Sequence, residues 1–111
     1  MAYHPRVEFV ETHAFTRRIR ALLTPDEYRA IQTALVLKPT AGDLIAGTGG
    51  FRKLRWQRSG IGKRGGVRVI YYLHRPSHRF LMLAAYGKNE QDDLTPGQKA
   101  ILRRIVEGEY P

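Results

Sequence analysis

Phe51-Arg52-Lys53-Leu54-Arg55-Trp56-Gln57, Val67-Arg68-Val69-Ile70-Tyr71-Tyr72-Leu73 and Arg79-Phe80-Leu81-Met82-Leu83-Ala84-Ala85-Tyr86 follow one another in the second half of the chain, and they decide the fold. All three are strand-like: short, rich in β-branched and aromatic residues, and bounded by glycine or proline. In the first run, residues two apart share a face, so Lys53 and Arg55 point one way while Leu54 and Trp56 point the other. The second run is apolar apart from Arg68, which predicts a central strand. The turn Arg75-Pro76-Ser77-His78 joins the second run to the third, predicting a hairpin.

Working outward, Arg6-Val7-Glu8-Phe9-Val10 alternates polar and apolar residues and predicts a short first strand. Thr12 can cap a helix whose Phe15, Ile19, Leu22 and Leu23 fall on one face, with Arg17, Arg18 and Arg20 on the other. Thr24-Pro25-Asp26-Glu27 is a capping box with proline in the first turn; it opens a second helix with an apolar stripe of Tyr28, Ile31, Ala34 and Leu35, stopped at Lys38-Pro39. Thr40 to Gly50 and Arg58 to Gly66 are glycine-rich loops. Thr95-Pro96-Gly97-Gln98 repeats the capping logic and starts a last helix carrying Ile101, Leu102, Ile105 and Val106. The order β-α-α-β-β-β-α groups helices and strands instead of alternating them. It predicts one α+β domain over residues 1–111, a mainly antiparallel sheet with a helical hairpin packed on it, and excludes a doubly wound nucleotide fold.

At 111 residues the chain supports one core. It has no cysteine, which removes disulfides, thiolate zinc sites and thiol nucleophiles. Charges interrupt every apolar run before it reaches membrane-spanning length, and Met1-Ala2-Tyr3-His4-Pro5 lacks the pattern of a signal peptide. A soluble cytoplasmic protein is the expectation, with no membrane partner.

The net charge of +9 is segregated. From Leu44 to Asn89 there is no acidic residue, while Arg52, Lys53, Arg55, Arg58, Lys63, Arg64, Arg68, Arg75, Arg79 and Lys88 lie within that stretch; the remainder of the chain is nearly neutral. A block of this kind meets a polyanion, with an anionic membrane or an acidic protein as the other choices. Strand alternation narrows it to Lys53 and Arg55 on an open face. Arg68, near the start of a central strand, needs a partner or an anion because burying it alone is costly. If the strands around Arg58–Gly66 pair as a hairpin, Arg55 and Arg68 come close on one face, and a returning third strand brings Lys88 to the same end. Taken singly, Arg52 reads as a solvated strand charge and Lys88 as a loop charge. Arginine suits phosphate because its planar fork donates two hydrogen bonds at once.

Gly60-Ile61-Gly62-Lys63-Arg64-Gly65-Gly66 lacks the Ser/Thr and the following helix of a phosphate loop, and Gly47-Thr48-Gly49-Gly50 precedes a strand, so neither predicts a nucleotide site. Both read as frames for a groove. His4, His13, His74 and His78 show no metal-ligand spacing, and His74 and His78 belong at the turn opposite Lys88. No metal and no cofactor are expected. Tyr71 and Tyr72 face opposite ways, so one belongs to the core and the other could stack on a base, as could Tyr86.

Three strings carry a family likeness: Gly42-Asp43-Leu44-Ile45-Ala46-Gly47-Thr48-Gly49-Gly50-Phe51-Arg52-Lys53-Leu54-Arg55, Gly62-Lys63-Arg64-Gly65-Gly66-Val67-Arg68-Val69-Ile70-Tyr71-Tyr72, and Tyr86-Gly87-Lys88-Asn89-Glu90. In order and spacing, over nearly the whole chain, the sequence resembles the RelE/HigB toxins of type II toxin–antitoxin systems, the HigB branch above all. The resemblance implies a RelE-type α+β fold, cleavage of messenger RNA in the ribosomal A site, and a cognate antitoxin through which the toxin reaches operator DNA. By position it implies catalytic roles for Lys53, Arg55, Arg68 and Lys88, and RNA contacts for Arg52, Arg58, Lys63, Arg64 and Tyr86. Some members carry a tyrosine several residues beyond the position of Lys88; here Gln91-Asp92-Asp93-Leu94 has none, so the general acid and base stay unassigned. The chemistry implied is attack of a ribose 2′-hydroxyl on the adjacent phosphate, needing a base, an acid and cations for the developing charge. A ParE-like gyrase inhibitor on the same fold and a non-catalytic RNA-binding module are the competing readings.

Overall fold

The computed structural model describes residues 6–58 and 65–111. The chain runs β1 (Glu8–Glu11), α1 (His13–Leu22), α2 (Pro25–Leu37), β2 (Asp43–Leu44), β3 (Phe51–Gln57), β4 (Gly66–His74), a 3-10 turn at Arg75–Ser77, β5 (Arg79–Gly87) and α3 (Pro96–Glu109). The five strands form one sheet in the order β1-β5-β4-β3-β2, with β4 central. Three of the pairings are antiparallel; β1 runs parallel to β5, because helices α1 and α2 intervene before the chain re-enters the sheet. The α+β fold with a mainly antiparallel sheet is as the sequence predicts. It carries one more strand: β2, two residues long, lies inside the stretch expected to be only loop. It is too short to show alternation, and its pairing of Asp43 with Lys53 and Leu44 with Arg52 comes from the sheet edge that β3 offers.

The capping signals act as expected. The Thr12 hydroxyl accepts from the Phe15 N–H, and complete capping boxes close the starts of α2 at Thr24 and Glu27 and of α3 at Thr95 and Gln98. His78 sits in the left-handed region (φ 54°) to complete the hairpin turn.

Each face of the sheet has its own core. Phe15, Ile19 and Leu23 from α1 and Ile31 and Leu35 from α2 bury against Leu54, Val67, Val69, Tyr71, Phe80, Met82 and Ala85. On the other face Leu94, Leu102 and Val106 bury against Phe51, Ile70, Leu81, Leu83 and Tyr86. That second layer corrects the expectation of an open face: α3 covers part of it, and Tyr110 at its C-terminal end stacks on His74 with ring centroids 3.8 Å apart. Ile101 and Ile105, expected in the α3 stripe, are exposed. Only two of the four apolar positions on this helix reach the sheet.

The β4–β5 ladder has one irregularity. Ile70 pairs with Ala84 and Tyr71 with Met82, so Leu83 is an extra residue in β5, a β-bulge. Beyond it the strand's alternation is re-phased: Phe80 and Met82 belong to the core under α1 and α2, yet so does Ala85, while Tyr86 joins the α3 side. Among the described residues no helix is long and apolar enough to cross a membrane.

Candidate functional site

The β3–β4 hairpin register pairs Arg55 with Arg68, and the β4–β5 register pairs Arg68 with Tyr86. Directly opposed residues share a face, so Arg55, Arg68 and Tyr86 form a row across the end of the sheet that α3 leaves free. Lys53, two residues before Arg55, lies in the next row inward beside Ile70. Gly66 at the start of β4 makes the row possible. A Cβ there would sit 2.7 Å from the Trp56 carbonyl oxygen and 3.2 Å from Arg68 Nη1, so any side chain would collide with the neighbouring backbone.

Neither Lys53 nor Arg68 is open to solvent, at 7% and 6% exposure. The segment between β5 and α3 folds over them. Lys53 Nζ donates to the Asp93 carboxylate and, at 3.2 Å, to the Asp92 carbonyl; Arg68 Nη2 lies 3.3 Å from Asp92 Oδ1. Tyr86 donates to the same Asp92 carbonyl at 3.2 Å. Arg55 is exposed and pairs with Asp43 Oδ2 at 2.7 Å. The basic face inferred from the sequence as open is therefore lidded by carboxylates from either side of the acid-free block. Its cause is local: Leu94 is buried against the second core, and this pulls Asp92 and Asp93 across the row.

Arg68 is under-used by this arrangement. Its Nε is buried with no partner among the described residues, and its contact to Asp92 involves a single nitrogen–oxygen pair instead of a two-pronged fork. The hydrogen bond and charge of Lys53 hold the Asp93 carboxyl below the usual carboxylate range. Burial, reinforced by the charges of Asp93 and Asp92 and opposed by Arg68 and Arg55, pushes the Tyr86 phenol up to about 12. Tyr86 thus keeps its proton well above neutral pH, and its hydroxyl donates here to the Asp92 carbonyl and is no general base.

The other residues singled out in the sequence divide. Lys88 is exposed, and its N–H donates to the Gly66 carbonyl at 2.9 Å, putting it at the same end of the sheet as Arg68. Arg58 is half-buried with its Nη2 toward Gly87, and its Nε has no partner among the described residues. Arg52 is not part of the row. It points to the opposite face and donates to the Gly42 carbonyl at 2.8 Å, holding the loop before β2, so its work is to anchor that loop. Lys63 and Arg64 lie outside the described residues. Tyr71 is wholly buried and fixes the same loop, donating to the Pro39 carbonyl and accepting from the Gly42 N–H. Tyr72, the candidate for base stacking, packs against Phe51 and Tyr110. Sequence reasoning overlooked Asp43, Asp92 and Asp93. The signal was available: they are the nearest carboxylates on either flank of the acid-free stretch, apart from Glu90.

A search of solved structures returns a double alanine mutant of the E. coli toxin RelE in its free state. The two superpose with a TM-score of 0.60 at 10% identity, covering 90% of this chain and 97% of the other. The fold is RelE-like. No protein-family model matches the chain. At this identity the RelE-like likeness is one of architecture: a small α+β domain with three helices and a five-stranded mixed sheet.

Proposed function

We propose that this RelE-like chain is the toxin of a type II toxin–antitoxin pair, a ribosome-dependent endoribonuclease of the HigB kind acting in the cytoplasm. The observation that carries the reading is the Arg55–Arg68–Tyr86 row with Lys53 behind it: three cations and a protonated phenol on one rigid sheet end. Like charges held this close on a fixed backbone are arranged for an anion richer in charge than the single carboxylates now on them. The resemblance of the Gly42–Arg55, Gly62–Tyr72 and Tyr86–Glu90 strings to RelE/HigB toxins supports a messenger RNA backbone as that anion.

In the reaction the ribose 2′-hydroxyl gives its proton to a solvent or ribosomal base, its oxygen attacks the adjacent phosphorus, and the bond from phosphorus to the 5′-oxygen breaks as that oxygen takes a proton, leaving a 2′,3′-cyclic phosphate and a free 5′-hydroxyl. Arg55 and Arg68 stabilise the charge gathering on the phosphoryl oxygens, since arginine keeps its proton throughout. Lys53 neutralises the same group from the inner row. Lys88 and the phenol of Tyr86 stand at the sheet end to hold the RNA or protonate the leaving oxygen, with Arg58, Lys63 and Arg64 tracking the backbone beyond. Ribosomal positioning of the RNA in an attack-ready geometry supplies the remainder of the rate. An antitoxin protein is the neutralising partner. In this scheme side-chain cations do the work that a metal does in other nucleases.

The test is to induce the protein in cells and map new 5′ ends on translated messages. Codon-phased ends within reading frames, absent from an R55A/R68A variant, are expected. Growth arrest with DNA breaks and intact messages would replace the reading with gyrase poisoning, and binding without cleavage in a translating extract would reduce it to an RNA-binding module.

A further inference from the structure

We propose that Asp92 and Asp93 are a built-in competitor for the RNA phosphates, holding the basic row closed in the free protein until a polyanion displaces them. The inference rests on the reading of that row as a phosphate site and adds how the site is regulated.

Three observations carry it. First, Lys53 and Arg68 are more than nine-tenths buried, yet what covers them is two carboxylates that are themselves 61% and 74% exposed. A phosphate cannot reach either cation until these carboxylates leave, and what holds them is two ion pairs made by largely exposed carboxylates, which are weak in water. Second, the segment's backbone is held while its carboxylates stay at the surface: the Asp92 carbonyl accepts from Lys53 and Tyr86, and the Asp93 carbonyl from Gln91 Nε2. At one end Glu90 accepts from the Gly87 N–H at 2.8 Å and pairs with Arg18; at the other Leu94 is buried. Asp92 and Asp93 can swing outward by side-chain rotation while these anchors hold. Third, the carboxylates fit poorly. Arg68 meets Asp92 through one 3.3 Å contact and leaves its buried Nε without a partner among the described residues, so an oxyanion with more acceptors would satisfy donors that Asp92 does not.

A weak internal anion of this kind sets a threshold. Isolated phosphates and short anions compete poorly with two carboxylates tethered on the spot, whereas a strand offering several phosphates in succession displaces both. The free protein is thereby kept from sticking to every anion it meets, at the expense of affinity for its own target.

The experiment is fluorescence anisotropy of a labelled single-stranded RNA oligonucleotide with the free protein, across a salt series, without ribosomes. D92N/D93N is compared with the parent and with D26N/E107Q, which removes the same charge from two exposed sites away from the row. D92N/D93N is expected to bind about five- to tenfold tighter than the charge-matched control, the scale of two partly exposed ion pairs that no longer have to be broken. Its affinity should also fall more steeply with salt, because displaced carboxylates in the parent take cations back up and blunt the net release. D92N alone, which leaves Lys53 paired, should give an intermediate shift and guards against a folding defect in the double variant. Binding by D92N/D93N no tighter than the control overturns the proposal. Tighter binding with intact messages in induced cells keeps the competitor and discards cleavage; codon-phased cleavage with unaltered binding does the reverse.

Discussion

Arg55 and Arg52 show how much one residue's parity in a strand decides. They stand three apart in β3, carry the same charge and read alike in composition, but Arg55 faces Arg68 while Arg52 faces the loop before β2. Arg55→Ala removes a group whose ion-pair partner among the described residues is the exposed carboxylate of Asp43, so thermal or urea unfolding should shift by no more than about 0.5 kcal/mol. If Arg55 stabilises the reacting phosphate, message cleavage should nevertheless fall roughly a hundredfold or more. A variant as active as the parent would remove Arg55 from the chemistry. Parity was legible in the sequence, and so was the pairing of Arg55 with Arg68 as one of several possible registers. The carboxylates were not, because nothing in Gln91-Asp92-Asp93-Leu94 says which way a loop folds until Leu94 is seen to be buried.

At the scale of elements, caps and strands followed from the sequence closely, since proline, threonine and alternation act over a few residues. The second layer did not. The apolar positions of α3 predict a buried stripe but not how much sheet is left for it to cover, and the loop from Gly87 to Leu94 that sets its placement has no periodicity. That loop's link to Lys53 has a pH signature. The Asp93 carboxyl is held low in the folded chain, so its contribution to stability is present above the usual carboxylate range and is lost as pH falls through the depressed folded value. Urea midpoints of the parent should therefore drop on acidification below about pH 4 by more than those of D93N, whose acid limb should be flatter. Identical acid limbs would mean that Asp93 does not hold Lys53 in solution.

For the whole molecule, the two cores share β4 and β5, so neither layer can leave without exposing the back of the other. Phe15→Ala, in the layer under α1 and α2, should cost about 3–5 kcal/mol. It should do so cooperatively: Trp56 fluorescence, on the α1 side, and near-ultraviolet dichroism from Tyr72 and Tyr110, on the α3 side, should lose signal along one common transition. A tyrosine signal that outlasts the tryptophan signal in F15A would show that the α3 layer stands by itself.

The extra residue Leu83 in β5 works like a frameshift within a strand. Upstream of it, odd-numbered Leu81 faces α3; downstream, even-numbered Tyr86 does. Removing that one residue would restore uninterrupted alternation with Leu81 and Phe80 still in their layers, whereas pairing Leu83 into the ladder, with register kept at the Gly87 end, would turn both inside out. The chain thus writes its two layers in different reading phases, and the change of phase falls between the half of β5 that builds the scaffold and the half that presents Tyr86 to the basic row. Homologous shuffling or design on this scaffold can cut at Leu83, keeping each half in its own phase.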